Sequence, residues 1–485
     1  MIPNDLRVPF IYVEFDSSRA FQGPSVLRYK ALLIGQRLSS GVRPELVMDL
    51  VSSYDQARSF YGEGSQLARM CKAWFDANNV TDLYCVSLDD AGGGVAATGS
   101  FVMGGTASAN GTLVVYIGGQ RISVAVTSGL TATLLGDALV AALPADIAVT
   151  ASNITGTVTL TARNKGEAGN DIDLRVNYNP GEELPTGITM SVNQMTGGAN
   201  NPSIQEVIDI IGDEWYNIFC GAFNDATNML AIETELTSRF GPLRMIDGMY
   251  VTSKRGNLGT LSAYGNGRNS QHVTCIHSYK IPSSSFEVAA SYAGVLAMEG
   301  QADPARPFQT VELPNILPPA ITERFTLQEN NTLLYDGIAT FYVDNGGKVR
   351  IQRAITMYQT NALGSADIAY LDVNTLLTLM YLRYDFRTQI LNKYPRAKLA
   401  DDGVQFGPGQ QVMTPKLGKS EAVNIFRGWE LLGLVENVDQ FKNDLVCVRS
   451  LTDPNRLTWI LPPDLINQFR VGSASMQFLL QGPTT

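Results

Sequence analysis

The chain has 485 residues, of which 45% are hydrophobic and 17% charged, and its formal net charge is −10. The length exceeds one ordinary core and implies several domains, and so low a charged fraction implies a surface covered by other domains or subunits. The acidic balance excludes a general nucleic-acid binder, which needs a basic face to displace counterions. No apolar run approaches the roughly 18 residues of a membrane span, so neither direct nucleic-acid contact nor membrane insertion is expected.

Residues 1–15 carry Asp5 and Glu14 and lack an apolar core, which does not read as a signal peptide. Synthesis in a reducing cytoplasm is therefore expected. Cys71, Cys85, Cys220, Cys275 and Cys447, odd in number and scattered, read as buried free thiols. Residues 11–15 alternate as a short strand, and 26–34 form a second. Ser65 caps a helix that places Leu67, Met70, Cys71, Trp74 and Phe75 on one face, and a strand follows at 83–88.

From Gly92 to about Asn200 the composition shifts to Gly, Ala, Thr and Val. Strand-like pieces recur at 111–117, 122–127, 148–151, 157–162, 172–178 and 189–194, with one helix at 131–143. This reads as a separate small β-rich domain, inserted so that its ends should lie close together. From Pro202 helices at 203–211, 224–240 (capped by Asn224), 257–264 and 286–299 alternate with strands at 216–220, 248–253 and 272–278. Such alternation implies a largely parallel, doubly wound sheet.

A proline-rich bridge, 304–319, leads to a third region. There, strands 337–343 and 348–356 flank Asp344-Asn345-Gly346-Gly347, a hairpin turn. A helix from about 367 to 394 follows, then one at 420–432 with Ser420 as its cap, strands at 444–449 and 456–461, and an alternating stretch at 469–480.

The expected fold class is thus α/β and α+β multidomain. It comprises an N-terminal arm (1–22), a doubly wound α/β domain split between 23–91 and 201–303, the inserted β-rich domain (92–200), an α+β C-terminal domain (304–466) and a C-terminal arm (467–485).

Candidate chemistry is sparse. His272 and His277, the only histidines, flank Cys275. Strand alternation puts His272 on the face opposite Cys275 and His277, and nothing completes a zinc ligand set. Gly418-Lys419-Ser420 has Met413 where a phosphate loop requires glycine, and the Gly-x-Ser-x-Gly elbow of a hydrolase is absent. No catalytic residue, metal site or cofactor is expected. What stands out is the two ends. Ile11, Tyr12, Val13 and Phe15 form one candidate strand, and Val471, Met476, Phe478, Leu479 and Leu480 lie on the other. An uncovered apolar strand invites aggregation. Either both pair within their own subunit, or they are exchanged between subunits as added strands.

Three motifs carry a resemblance to a known family. One is Leu333-Leu334-Tyr335-Asp336-Gly337-Ile338-Ala339-Thr340, followed by Gly347-Lys348-Val349-Arg350-Ile351-Gln352-Arg353-Ala354-Ile355-Thr356. The others are Gln56-Ala57-Arg58-Ser59-Phe60-Tyr61-Gly62 and Leu461-Pro462-Pro463-Asp464-Leu465-Ile466-Asn467-Gln468-Phe469-Arg470-Val471. Together they resemble contractile phage tail sheath proteins of the Mu-like branch, with Gly337, Ile338, Arg353 and Thr356 matching the family's C-terminal domain.

The resemblance implies a virion protein assembled in the host bacterial cytoplasm. Identical subunits would stack as rings or a helix around a tail tube protein, alongside baseplate and tail terminator proteins. The inserted domain would face outward, the terminal arms would add strands to neighbouring C-terminal domains, and contraction would drive the tube through the host envelope. A baseplate or secretion-system component, and an α/β enzyme with a β-rich accessory domain, are the competing readings.

Overall fold

The computed structural model describes residues 27–480. The first strand, β1 (Lys30–Gln36), is buried from Ala31 to Gln36 without interruption, the pattern of a strand covered on both faces. A short edge strand, β2 (Met48–Val51), precedes helices α1 (Tyr54–Tyr61) and α2 (Gln66–Ala77), and β3 (Asp82–Leu88) returns to the sheet. Helix α2 starts where Ser65 Oγ accepts the Ala68 amide, at 3.2 Å.

The Gly/Thr-rich segment then forms β4 (Thr98–Gly105), β5 (Gly111–Ile117), β6 (Gln120–Val126), α3 (Ala132–Ala141), β7 (Val149–Ile154), β8 (Thr157–Ala162), β9 (Leu174–Val176) and β10 (Ile188–Thr196). They make two antiparallel sheets, β10-β4-β8-β7 and β6-β5-β9. Val95 and Ala199 exchange backbone hydrogen bonds of 2.9 and 3.1 Å, so the segment enters and leaves at one point. It is also bonded into its surroundings. Asn164 donates to the Arg37 carbonyl at 2.8 Å and accepts the Gln66 amide at 2.9 Å. Asp146 meets Arg69 at 3.4 Å, and Asp173 meets Arg255 at 3.2 Å. The insertion therefore belongs to one compact unit with the α/β elements.

The α/β rhythm resumes with α4 (Gln205–Ile211), β11 (Ile218–Gly221), α5 (Ala226–Phe240), β12 (Met249–Lys254), α6 (Leu258–Asn266), β13 (Val273–His277) and α7 (Ser285–Ala302). Among the described residues six strands form one sheet in the order β13-β12-β11-β1-β3-β2, parallel apart from β2. Leu32, Ile34, Val86 and Leu88 pack with Val207, Ile211, Met229, Ile232 and Leu236 of α4 and α5. Alternation turns Ala31 and Leu33 to the other face, where α2 and α7 pack against each other and the sheet. The sheet is doubly wound. Asp225, rather than Asn224, caps α5 by accepting the Asn228 amide at 3.1 Å. Asn224 instead donates to the Ser253 carbonyl at 2.9 Å and ties two strand ends together.

All five cysteines are buried and unbridged. Burial pushes the Cys275 thiol up to about 12 and that of Cys447 up to about 11, which starves both of reactive thiolate. A thiol reagent should therefore titrate none of the five rapidly in the folded chain and all five after denaturation without reductant. A count below five in the denatured chain would contradict this.

His277 is buried between Phe325 and Phe341, with ring centroids 5.1 and 4.4 Å away. Burial depresses its pKa from 6.5 to about 3. The unfolded chain thus binds a proton that the folded chain refuses, so stability falls as pH drops below 6.5 and levels off near 3. At pH 4.5 the loss attributable to this residue is about 2–3 kcal/mol. His277→Gln should remove that share of the acid sensitivity in urea unfolding. An unchanged pH slope would show that His277 does not carry it.

Helix α8 (Leu327–Tyr335) and the hairpin β14 (Thr340–Val343) and β15 (Val349–Arg353) follow, then α9 (Val373–Lys393). The expected boundary at 304 is not where the chain divides. Its two compact units part at Met380 and Tyr381, inside α9, and the second unit is Tyr381–Asn467. That unit holds β16 (Lys398–Leu399), β17 (Val412–Met413), α10 (Pro415–Leu431), β18 (Val435–Glu436), α11 (Val438–Asp444), β19 (Val446–Arg449), β20 (Leu457–Ile460) and β21 (Asp464–Leu465). Its core stacks Phe426 on Phe441 at 4.2 Å, and Trp429 donates to Asp385 at 2.7 Å.

Two helix starts differ from expectation. Helix α9 begins at Val373, not 367. Helix α10 begins at Pro415 with Thr414 as its cap, so Ser420 lies inside it and donates to the Lys416 carbonyl at 3.1 Å. Among the described residues no helix is long and apolar enough to cross a membrane.

Candidate assembly site

The alternating stretch at 469–480 forms no strand. Alternation favours an extended chain but supplies no partner, and without a ladder partner the backbone has nothing to pair with. Val471, Met476, Phe478, Leu479 and Leu480 are between 76 and 98% exposed. A contiguous run of large exposed apolar side chains marks an interaction surface. The matching N-terminal candidates, Ile11, Tyr12, Val13 and Phe15, lie outside the described residues.

The tail has a firm root. Arg470 reaches Asp372 and Asn374, each at 3.0 Å, and the Phe469 carbonyl accepts Gln309 Nε2 at 3.0 Å. Burial pushes the Arg470 guanidinium pKa down, and the adjacent Asp372 carboxylate opposes that. Arg470 falls within the last of the family-like motifs, but its pairing carries no local sequence signal, because its partners lie nearly a hundred residues earlier.

The four motif residues are structural and sit in the Arg28–Met380 unit rather than a C-terminal domain. Gly337 follows α8 at φ +77°, a conformation that disfavours any side chain. Ile338 is fully buried, packed in the sheet's core with Leu333 and Met357. Arg353 makes a two-pronged bond to Asp372, 3.1 Å on each prong. Thr356 Oγ1 donates to the Tyr370 carbonyl at 2.7 Å.

In the Tyr381–Asn467 unit, β19 and β20 form a two-stranded ladder from Val446–Ile460 to Arg449–Leu457. Cys447 is buried toward α10, with Trp459 Nε1 donating to the Gly418 carbonyl at 3.2 Å. Val446, Val448 and Ile460 are exposed on the other face. Among the described residues each of these strands has a single partner, so each leaves one edge of N–H and C=O groups without a ladder.

His272, in the turn before β13, and Cys275 and His277, within it, are all buried, and no group of three or more His, Cys, Asp or Glu among the described residues could hold a metal ion. A cleft of about 640 Å³ is lined by Arg175, Arg255, Asp173 and Glu323. Its charges satisfy one another, Arg175 with Glu323 at 2.9 Å and Arg255 with Asp173 at 3.2 Å.

Comparison with known proteins agrees with a structural role. Residues 197–357 match the phage tail sheath protein central domain, and 365–478 match the phage tail sheath C-terminal domain. The Mu-like prophage FluMu tail sheath protein of Haemophilus influenzae is 40% identical over 481 residues, covering 99% of each chain. The sheath tail protein of Desulfitobacterium hafniense is similar at 13% identity over 94% of this chain and 100% of that one, with a TM-score of 0.49. That of Listeria innocua is similar at 11% identity over 91% and 96%, with a TM-score of 0.48. The family assignment rests on the domain matches and the full-length relative. The chain belongs to the phage tail sheath family and is a structural subunit of a contractile phage tail.

Proposed function

We propose that the subunit polymerises by handing its C-terminal tail to a second copy, where the tail adds a strand to an open ladder edge of the Tyr381–Asn467 unit. The observation that carries this reading is the run of five large apolar side chains between Val471 and Leu480, each at least 76% exposed. The open edges of β19 and β20, with Val446, Val448 and Ile460 beside them, are acceptors of matching chemistry. Burying a Val-, Leu- or Phe-sized side chain contributes about 1.5–3 kcal/mol. Five of them amount to roughly 10 kcal/mol gross, before the ordering cost of association.

The polymer is a sheath of stacked rings or a helix around a tail tube protein, assembled in the host cytoplasm with baseplate and terminator proteins at its ends. Strand-paired tethers let subunits slide during contraction without coming apart, because ladder hydrogen bonds persist while side-chain interfaces re-form. The free-energy drop comes from apolar area gained between subunits, at about 25 cal/mol per Å², so no nucleotide is required. The N-terminal residues Ile11, Tyr12, Val13 and Phe15 serve as a second donated strand. The test is whether the full chain polymerises and the chain ending at Arg470 does not.

A further inference from the structure

The C-terminal tail passes from anchored to free within one residue. Arg470 donates to both Asp372 and Asn374 at 3.0 Å, whereas Val471 is 86% exposed. Both acceptors are themselves fixed. Asp372 takes both prongs of Arg353, and the Asn374 amide donates to the Pro304 and Arg306 carbonyls at 2.9 and 2.7 Å. The root therefore rests on rigid groups at the start of α9.

This is a poor way to gain stability. Two guanidiniums share one carboxylate, and Nε and Nη1 of Arg470 are buried without any hydrogen-bond partner. Unpaired buried donors offset the gain from the paired ones. What the arrangement does supply is a fixed point of departure.

We propose that Arg470 is the positioning residue of the tail, an ionic latch on Asp372 and Asn374 that sets where and in which direction the tail leaves for a second copy. The proposal rests on the reading that the tail pairs with that copy. Without the latch, residue 470 joins the free segment, while the Phe469 carbonyl still accepts Gln309. At about 3.3 Å per residue the reach to Leu480 grows only from about 33 to about 36 Å. Length alone dilutes the tail by less than about 1.2-fold, so most of the effect is lost direction.

The test uses Val471→Cys carrying a nitroxide, since the five native cysteines are buried. In dilute, unassembled chain the label should be less mobile than in Arg470→Met, and intermediate in Arg470→Lys, whose shorter side chain holds its ammonium back from the point where Nη2 meets both acceptors. Without label, Arg470→Met should raise the critical concentration for polymerisation about tenfold. Its thermal midpoint should stay within about 2 °C, because Arg353 still pairs Asp372. Equal label mobility with and without the Arg470→Met substitution, or a freed tail with an unchanged critical concentration, would overturn the latch. Normal polymerisation of the chain ending at Arg470 would instead sink the tail reading, while the label still reports whether Arg470 anchors the root.

Discussion

A chain ending at Arg470 should fold normally and fail to polymerise. The removed side chains at 471–480 are all exposed, so far-ultraviolet circular dichroism should be unchanged. The cores built on Leu32, Ile34 and Val86, and on Phe426, Trp429 and Phe441, lie elsewhere. In sedimentation the truncated chain should run as a monomer at concentrations where the full chain pellets. The forfeited burial, on the order of 10 kcal/mol gross, corresponds to several orders of magnitude in critical concentration. Met476→Pro should act in the same direction through the backbone alone, because proline removes a ladder donor and resists pairing inside a sheet. Normal polymerisation by either chain would mean that the tail is not the tether.

The largest effect on folding is expected at Gly265. A Cβ there would lie 1.9 Å from the Asp336 carbonyl oxygen. That atom is backbone and is held by Gln359, whose Nε2 donates to the Gly265 carbonyl at 3.0 Å and to the Asp336 carbonyl at 3.3 Å. Gly265→Ala must therefore push α6 away from the turn after α8, where Ile338 enters the core. Overpacking against such fixed backbone costs about 3 kcal/mol or more. Gly347→Ala is the control. It sits at φ +75° with nothing within 4 Å of its would-be Cβ, so only the conformational cost of about 1–2 kcal/mol applies. Similar urea midpoints for the two variants would refute the tight seam between α6 and α8.

The alternating apolar strands and capped helices of the α/β part were readable because burial on both faces leaves unbroken runs such as Leu32-Leu33-Ile34. Short or glycine-laden strands were not. The β2 strand has four residues, and β4 contains Gly99, Gly104 and Gly105, which mimic a loop. The start of α10 was legible in principle, since Thr414-Pro415 is a cap followed by a first-turn proline, but Ser420 offered a competing cap. Ser420 lost because a serine inside a helix can bond back to the carbonyl four residues earlier.

The motif around Gly337 announced a constrained turn, yet its role as a seam against Gly265 depends on a partner seventy residues away. The latch was invisible for the same reason, since Arg353, Asp372 and Arg470 meet only through the fold. The tail itself shows the limit of alternation: its pattern describes a strand, but a strand exists only where a second one is present to pair with it.

The most direct test of the account is negative-stain electron microscopy of the purified full-length chain. Tubular polymers of uniform width are the predicted result. A field of uniform single-subunit particles, at concentrations where the soluble chain remains folded, would contradict it.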